Sequence, residues 1–408
     1  MIMYLPFFIS LLSCYIYAQQ DGDDWPTVDP TASTKEPSRN SMAYKIINGE
    51  VKMNAVLFTC AAIHEPSSCR MPTVLGQRPL AYNERVFMEK EPGAPPTSAP
   101  PMKGSVPPAE YNPTELLDEL RDNWITEETF KAIKAQNFNA VKIKFGFWLV
   151  EPDENFISPE PFMHRIMRWA AVYDLGVYLS FAGVPGCQNF QPVANCPNDA
   201  IRWGDGGYLL KNIQTIEIIA DRYIAYKSFI GINLLYEPSV LGATNTMLKS
   251  YYTQVIESLQ KVKYDRLVMI SPLVEKRFDE NDIKEWCGFV KDKPRVLISE
   301  SSYFYWEAAF DTEKKISDEI ARRGKILATN KDCPLIVDEW SMAFKLDLSK
   351  KKLQALAKQQ QEAYSNALNG TVFGPFKTTT NSNEVDNFSY TSLIKQGILQ
   401  STSVPRKP

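Results

Sequence analysis

The sequence predicts an α/β protein built as a (β/α)8 barrel, and three observations carry that expectation. From about Pro113 onward, short apolar runs alternate with amphipathic helical stretches, the pattern of βαβ units on a parallel sheet. Counting one earlier run, the candidate strands number eight. An open doubly wound sheet is the competing architecture, but no glycine-rich phosphate loop follows an early strand and a dinucleotide fingerprint is absent. A length of 408 residues, 44% of them apolar, fits one large barrel or two ordinary domains.

The elements follow in chain order. Residues 1–18 form an uncharged apolar run ending at a small residue, followed at once by the acidic Gln19–Asp24. Too short for a comfortable membrane span, this run is expected to be a cleaved secretory signal, although the usual basic flank is missing. Residues 19–42, rich in Asp, Thr, Ser and Pro, are expected to be a flexible leader ahead of one barrel over 43–400. The first strand is Asn54–Thr59. A stretch over 89–113 carries eight prolines, which forbid regular helix or central strand, and is assigned as an insertion in the first βα loop. Further strands are expected at Asn139–Phe145, Gly176–Phe181, Gly231–Tyr236, Arg266–Ser271, Arg295–Ser299, Pro334–Asp338 and Thr371–Phe373. Helices are expected at Glu115–Leu120, Ile213–Tyr226, Thr246–Val262 and Lys351–Leu368.

Charge and cysteines narrow the chemistry. A formal net charge of −3 gives no electrostatic footprint for nucleic acid or an anionic membrane. Beyond the signal no segment reaches the length of a membrane span, so no membrane partner is expected once the signal is removed. Cys14 would leave with the signal. The six remaining cysteines suit an oxidising compartment, and the pairing expected is Cys60–Cys69, Cys187–Cys196 and Cys287–Cys333, one of 15 arrangements. With no CxxC and only His64 and His164, a zinc site is not expected. Two sequons, at Asn369 and Asn387, are compatible with secretion.

Two glutamates stand out because each ends an apolar run: Glu237 in GINLLYEP and Glu339 in PLIVDEWS. Chemistry in such barrels sits at the C-terminal ends of the strands, and an acid there is costly unless it faces a polar cavity. Alone, each could equally be a cap or an ion-pair partner. Four stretches then carry a resemblance. Residues 122–130 (DNWITEETF) with 139–148 (NAVKIKFGFW) resemble the pattern ITEEDF…VRIPVGYW. Residues 173–189 (YDLGVYLSFAGVPGCQN) resemble YGLKVWIDLHGAPGSQN, 229–238 (FIGINLLYEP) resemble VIGIELLNEP, and 338–341 (DEWS) resemble GEWS. In this order and spacing they are similar to the fungal-type exo-β-1,3-glucanases of glycoside hydrolase family 5, over roughly Leu116 to Leu399.

The resemblance implies a secreted, monomeric hydrolase of β-glucan or a related oligosaccharide. Glu237 takes the position of the general acid/base and Glu339 that of the nucleophile, and Tyr303 matches the tyrosine that hydrogen-bonds the nucleophile. Retention through a covalent glycosyl-enzyme needs carboxyls about 5–5.5 Å apart. Trp148 and Trp203 are candidate sugar-stacking residues, as is the cluster Tyr303, Phe304, Tyr305 and Trp306, against the alternative that they are packing. The surrounding residues depart from the family. Lys142 replaces an arginine, keeping charge but not the planar fork, and Tyr236 replaces the asparagine that holds the sugar 2-hydroxyl. Ala182 and Ser301 replace histidines, and Gly374 replaces the tryptophan that floors the sugar site. Glu65 is a candidate for the family's N-terminal sugar-binding glutamate. These departures motivate an alternative, a catalytically impaired carbohydrate-binding protein on the same barrel. Contacts from Lys142 and Tyr236 that rebuild the setting of Glu339 would favour catalysis. A Tyr236 that fills the sugar position would favour binding.

Overall fold

The computed structural model describes residues 37–63, 65, 68–69, 113–152, 156–196, 200–379 and 387–400. The signal, most of the leader and all but the last residue of the proline-rich stretch lie outside the described residues. A short helix, α1 (Met42–Ile47), precedes β1 (Met53–Leu57); its first turn is capped by the Ser41 hydroxyl, which accepts from the Tyr44 N–H. After β1 come α2 (Pro113–Trp124) and α3 (Glu127–Ala135), so the proline-rich stretch falls in the first βα connection as expected. Alternation then runs β2 (Ala140–Gly146), α4 (Glu160–Val172), β3 (Gly176–Gly183), α5 (Gly206–Tyr223), β4 (Phe229–Asn233) and α6 (Asn245–Lys261). It continues β5 (Leu267–Ile270), α7 (Glu280–Val290), β6 (Val296–Ser302), α8 (Glu313–Thr329), β7 (Leu335–Trp340), α9 (Lys350–Tyr364) and β8 (Gly370–Phe373), and ends with α10 (Tyr390–Lys395).

The eight strands are parallel and close into a barrel in sequence order, β1 pairing β8 through Met53↔Gly370 to Val56↔Phe373. The chain is therefore a (β/α)8 barrel. Burial divides as the side-chain alternation of strands requires. Inward-facing Ala55, Ala140, Tyr178, Ile230, Met269, Leu297, Ile336 and Val372 fill the barrel's interior with Ala43, Ile46 and Ile47 of α1, while a larger apolar shell packs strands against the helical ring. The three expected disulfides are present, including Cys287–Cys333, which ties α7 to the segment entering β7. Element positions agree with the expectations within a few residues, except that α5 begins at Gly206, seven residues ahead of the expected Ile213, and one smaller difference is consequential. Strand β4 ends at Asn233, so Leu234–Glu237 lie in the turn above it and not in the strand.

Candidate active site

The barrel brings Glu237 and Glu339 into one buried polar network at the C-terminal mouth. Glu339 occupies a β-bulge: between the pairs Asp338↔Val372 and Trp340↔Phe373 it is the extra residue of β7. Its φ is 100°, and that of Glu237 is 46°. Left-handed backbone at a non-glycine residue costs about 1–3 kcal/mol and gathers at functional sites. The bulge also sends the side chains of Asp338 and Glu339 into the same ion pair.

That ion pair is centred on Lys142, which is fully buried. Its Nζ lies 2.9 Å from Asp338 Oδ2 and 2.7 Å from Glu339 Oε1. A second lysine, Lys144, places its Nζ 3.2 Å from Glu339 Oε2 and 3.6 Å from Glu65 Oε2. Glu339 Oε2 also accepts from Tyr303 Oη at 2.8 Å and from Tyr236 Oη at 2.9 Å. Burial alone would raise the Glu339 pKa, but the charges of Lys142 and Lys144 and the hydrogen bonds of Lys142 and Tyr303 outweigh it and hold the group at about 2. Glu339 is therefore ionised at neutral pH. Burial foremost, with the neighbouring carboxylates, pushes both phenols well above their usual range, so they remain donors. Burial likewise raises the Glu65 carboxyl despite Lys144.

Glu237, 6% exposed, is held separately. Gln191 Nε2 donates to its Oε2 and Ser301 Oγ to its Oε1, while Asn189 Nδ2 donates to its backbone carbonyl at 2.8 Å. The Asn189 and Gln191 side chains come from the loop after β3, which the Cys187–Cys196 disulfide closes. The cavity lined by Tyr236, Glu237, Arg277 and Ser301 has room of about 10 Å³, enough for a single water.

Sequence comparison finds relatives over the barrel. Over 256 residues the chain is 28% identical to "Probable glucan 1,3-beta-glucosidase A" of Aspergillus terreus, covering 57% of this chain and 58% of that one. It is 29% identical over 252 residues to the protein so named in Emericella nidulans, covering 57% and 60%. With the glucan 1,3-beta-glucosidase of Schwanniomyces occidentalis the identity is 28% over 239 residues, covering 55% of each. The chain is thus similar in sequence to fungal glucan 1,3-β-glucosidases. It spans a little over half the length of these curated relatives, and no protein-family model matches it. Among solved structures, the rutinosidase from Aspergillus niger superposes with a TM-score of 0.67 over 86% of this chain and 98% of that one. At 12% identity that is a likeness of fold.

In this glucosidase-like barrel the departures from the family's pattern touch one another. Tyr236 packs in one apolar cluster with Ala182, Trp148, Phe156, Val193 and Ile63, so the small Ala182 leaves the space its ring takes. Both ammoniums flank that ring, Lys142 at 4.9 Å and Lys144 at 4.5 Å from its centre. Ser301 reaches Glu237 where the family has histidine, and a Cβ at Gly374 would stand 3.2 Å from Tyr303 Oη.

Two sequence expectations need correction. Trp148 is fully buried, stacked on Phe156 with ring centres 4.0 Å apart. Its ring lies so close over Gly146 and Gly183 that a Cβ at either would meet it at 2.2 and 2.4 Å, so it is packing and not a sugar platform. Trp203 is 1% exposed against Tyr251 and is packing too. An isolated tryptophan in a sequence does not reveal which face of its segment meets the core. Trp306, by contrast, is 60% exposed, edge-on to Tyr303 and beside Tyr305 and Phe388.

Sequence reasoning missed Lys144, Gln191 and Asp338. Lys144 had a signal: two residues after Lys142 on one strand, it faces the same way. Gln191 had none, since its reach to Glu237 depends on how the loop after β3 folds over β4.

Proposed function

We propose that the protein is a secreted retaining glycoside hydrolase acting on β-glucan or a related oligosaccharide, with Glu339 as nucleophile and Glu237 as acid/base. The observation that carries this reading is the contrasted setting of the two carboxylates. Glu339 is held ionised by two lysines and two phenols, while Glu237 is held by an amide and a hydroxyl with no cation among its hydrogen-bond partners. In the first step a Glu339 oxygen attacks the anomeric carbon while Glu237 delivers its proton to the departing glycosidic oxygen. In the second, Glu237 takes a proton from water, whose oxygen attacks the anomeric carbon and releases Glu339. Lys142, itself paired with Asp338, positions the attacking Glu339 carboxylate. Trp306, with Tyr305 and Phe388, offers an exposed aromatic surface at the rim for a sugar face. Secretion is supported by the three disulfides, which persist in oxidising compartments.

A second reading, carbohydrate binding without turnover, is favoured by one observation: Glu339 has no exposed surface. Hydrolysis of laminarin and of aryl β-glucosides by the secreted protein, beside Glu339→Gln and Glu237→Gln, separates the two. Turnover abolished by either substitution is the expected result. A wild-type rate no higher than that of Glu339→Gln, with β-glucan still bound, would remove the hydrolase reading and leave the binding one.

A further inference from the structure

We propose that Tyr236 is a gate: as seen here it closes over Glu339, and a neutral pyranoside reaches that carboxylate only when the phenol swings away. The inference rests on the hydrolase reading for what the gate controls, but its geometry stands apart from it. Glu339 Oε2 already receives Tyr303, Lys144 and Tyr236, and Oε1 receives Lys142. Oε1 has the Lys142 ion pair and no hydrogen bond, but the residue has no exposed surface, so neither oxygen is open to a ligand. For an electrophilic carbon to reach it, a group that covers it must move.

Tyr236 is the donor that can leave. The lysines are buried ions whose departure would strand the carboxylates, and Tyr303 lies directly after β6, with Trp306 packed edge-on to its ring. Tyr236 instead sits in the turn beyond β4, three residues past its last paired position, and is followed by Glu237 with its left-handed backbone. Its large ring lines the small cavity beside Glu237. Ala182, Lys142 and Lys144 supply the seat that holds it shut. The closed state lowers apparent affinity by the fraction of molecules that are open.

The test compares wild type, Tyr236→Ala and Tyr236→Phe for binding of glucono-δ-lactone, a ligand the size of one sugar, by calorimetry. It also follows hydrolysis of an aryl β-glucoside. The gate predicts that Tyr236→Ala binds the lactone about ten- to a hundredfold more tightly. Tyr236→Phe, which keeps the ring and the flanking ammoniums, gains much less. Equal binding by wild type and folded Tyr236→Ala would overturn the gate, and so would weaker binding by both variants, which marks the hydroxyl as a ligand of the sugar. If Tyr236→Ala does not fold, Tyr236→Val, which adds no sugar ligand, carries the same expectation and the same refutation. Tighter binding without turnover in any variant would leave the gate and remove the hydrolase reading. Turnover by wild type with no gain in binding would do the reverse.

Discussion

Removing Lys142 is the perturbation with the most determinate consequence. Its ammonium lies within 3 Å of two carboxylates, Asp338 at 2.9 Å and Glu339 at 2.7 Å, and none of the three residues is more than 1% exposed. In Lys142→Met the side-chain volume stays close to the original, but Asp338 keeps no cation among its partners. Glu339 keeps only Lys144. Breaking a buried pair from one side costs about 3–5 kcal/mol, because the partner's desolvation is no longer offset. The pH dependence is equally specific. In the variant Glu339 loses the larger of the two charges that hold its carboxyl down, so its folded pKa rises from about 2. The deficit is then fully expressed well above the raised value and shrinks as pH falls from it towards 2. Denaturant unfolding of wild type and variant at pH 7.5 and pH 3 measures both parts. A loss under about 1 kcal/mol at pH 7.5, in the range of an exposed pair, would refute the reasoning, and so would a loss that does not change with pH.

Three further outcomes are expected. Glu300 is buried with its pKa raised by burial to about 8, so the folded state favours its protonated form and it costs stability progressively as pH rises from 4.5 to 8. Glu300→Gln should stabilise the protein by about 3 kcal/mol at pH 7 and by little at pH 4.5, read as the shift of the unfolding midpoint at the two pH values. Trp306→Ala should raise KM for laminarin with an unchanged melting temperature, whereas Trp148→Ala should lower stability by about 3–5 kcal/mol, and the opposite pattern in either variant would reverse their assignment. Opening the Cys287–Cys333 bridge, which spans 46 residues, by the double change to serine should cost about 4 kcal/mol by loop closure, seen in denaturant unfolding under oxidising conditions.

The sequence by itself determined the alternating α/β pattern and the positions of the two glutamates, because each is a local or periodic signal. Short apolar runs separated by amphipathic stretches bury both faces of a parallel sheet, the absence of a phosphate loop favoured the barrel over the open sheet, and Glu237 and Glu339 end two such runs. The lysine at 142 was legible as a retained charge, since its strand neighbours set which way it faces. The tertiary structure decided what surrounds the carboxylates. Whether Trp148 meets sugar or core depends on Gly146 and Gly183 standing under its ring, on two different strands. That Tyr236 reaches Glu339 depends on the small residue at 182 and the early end of β4, features remote in the chain that meet only when the barrel closes. Two of the departures, Lys142 and Tyr236, join Lys144 and the retained Tyr303 in one packed arrangement of two lysines and two phenols around a single carboxylate. Its members are joined by contacts across strands, and contacts of that kind leave no period in a sequence.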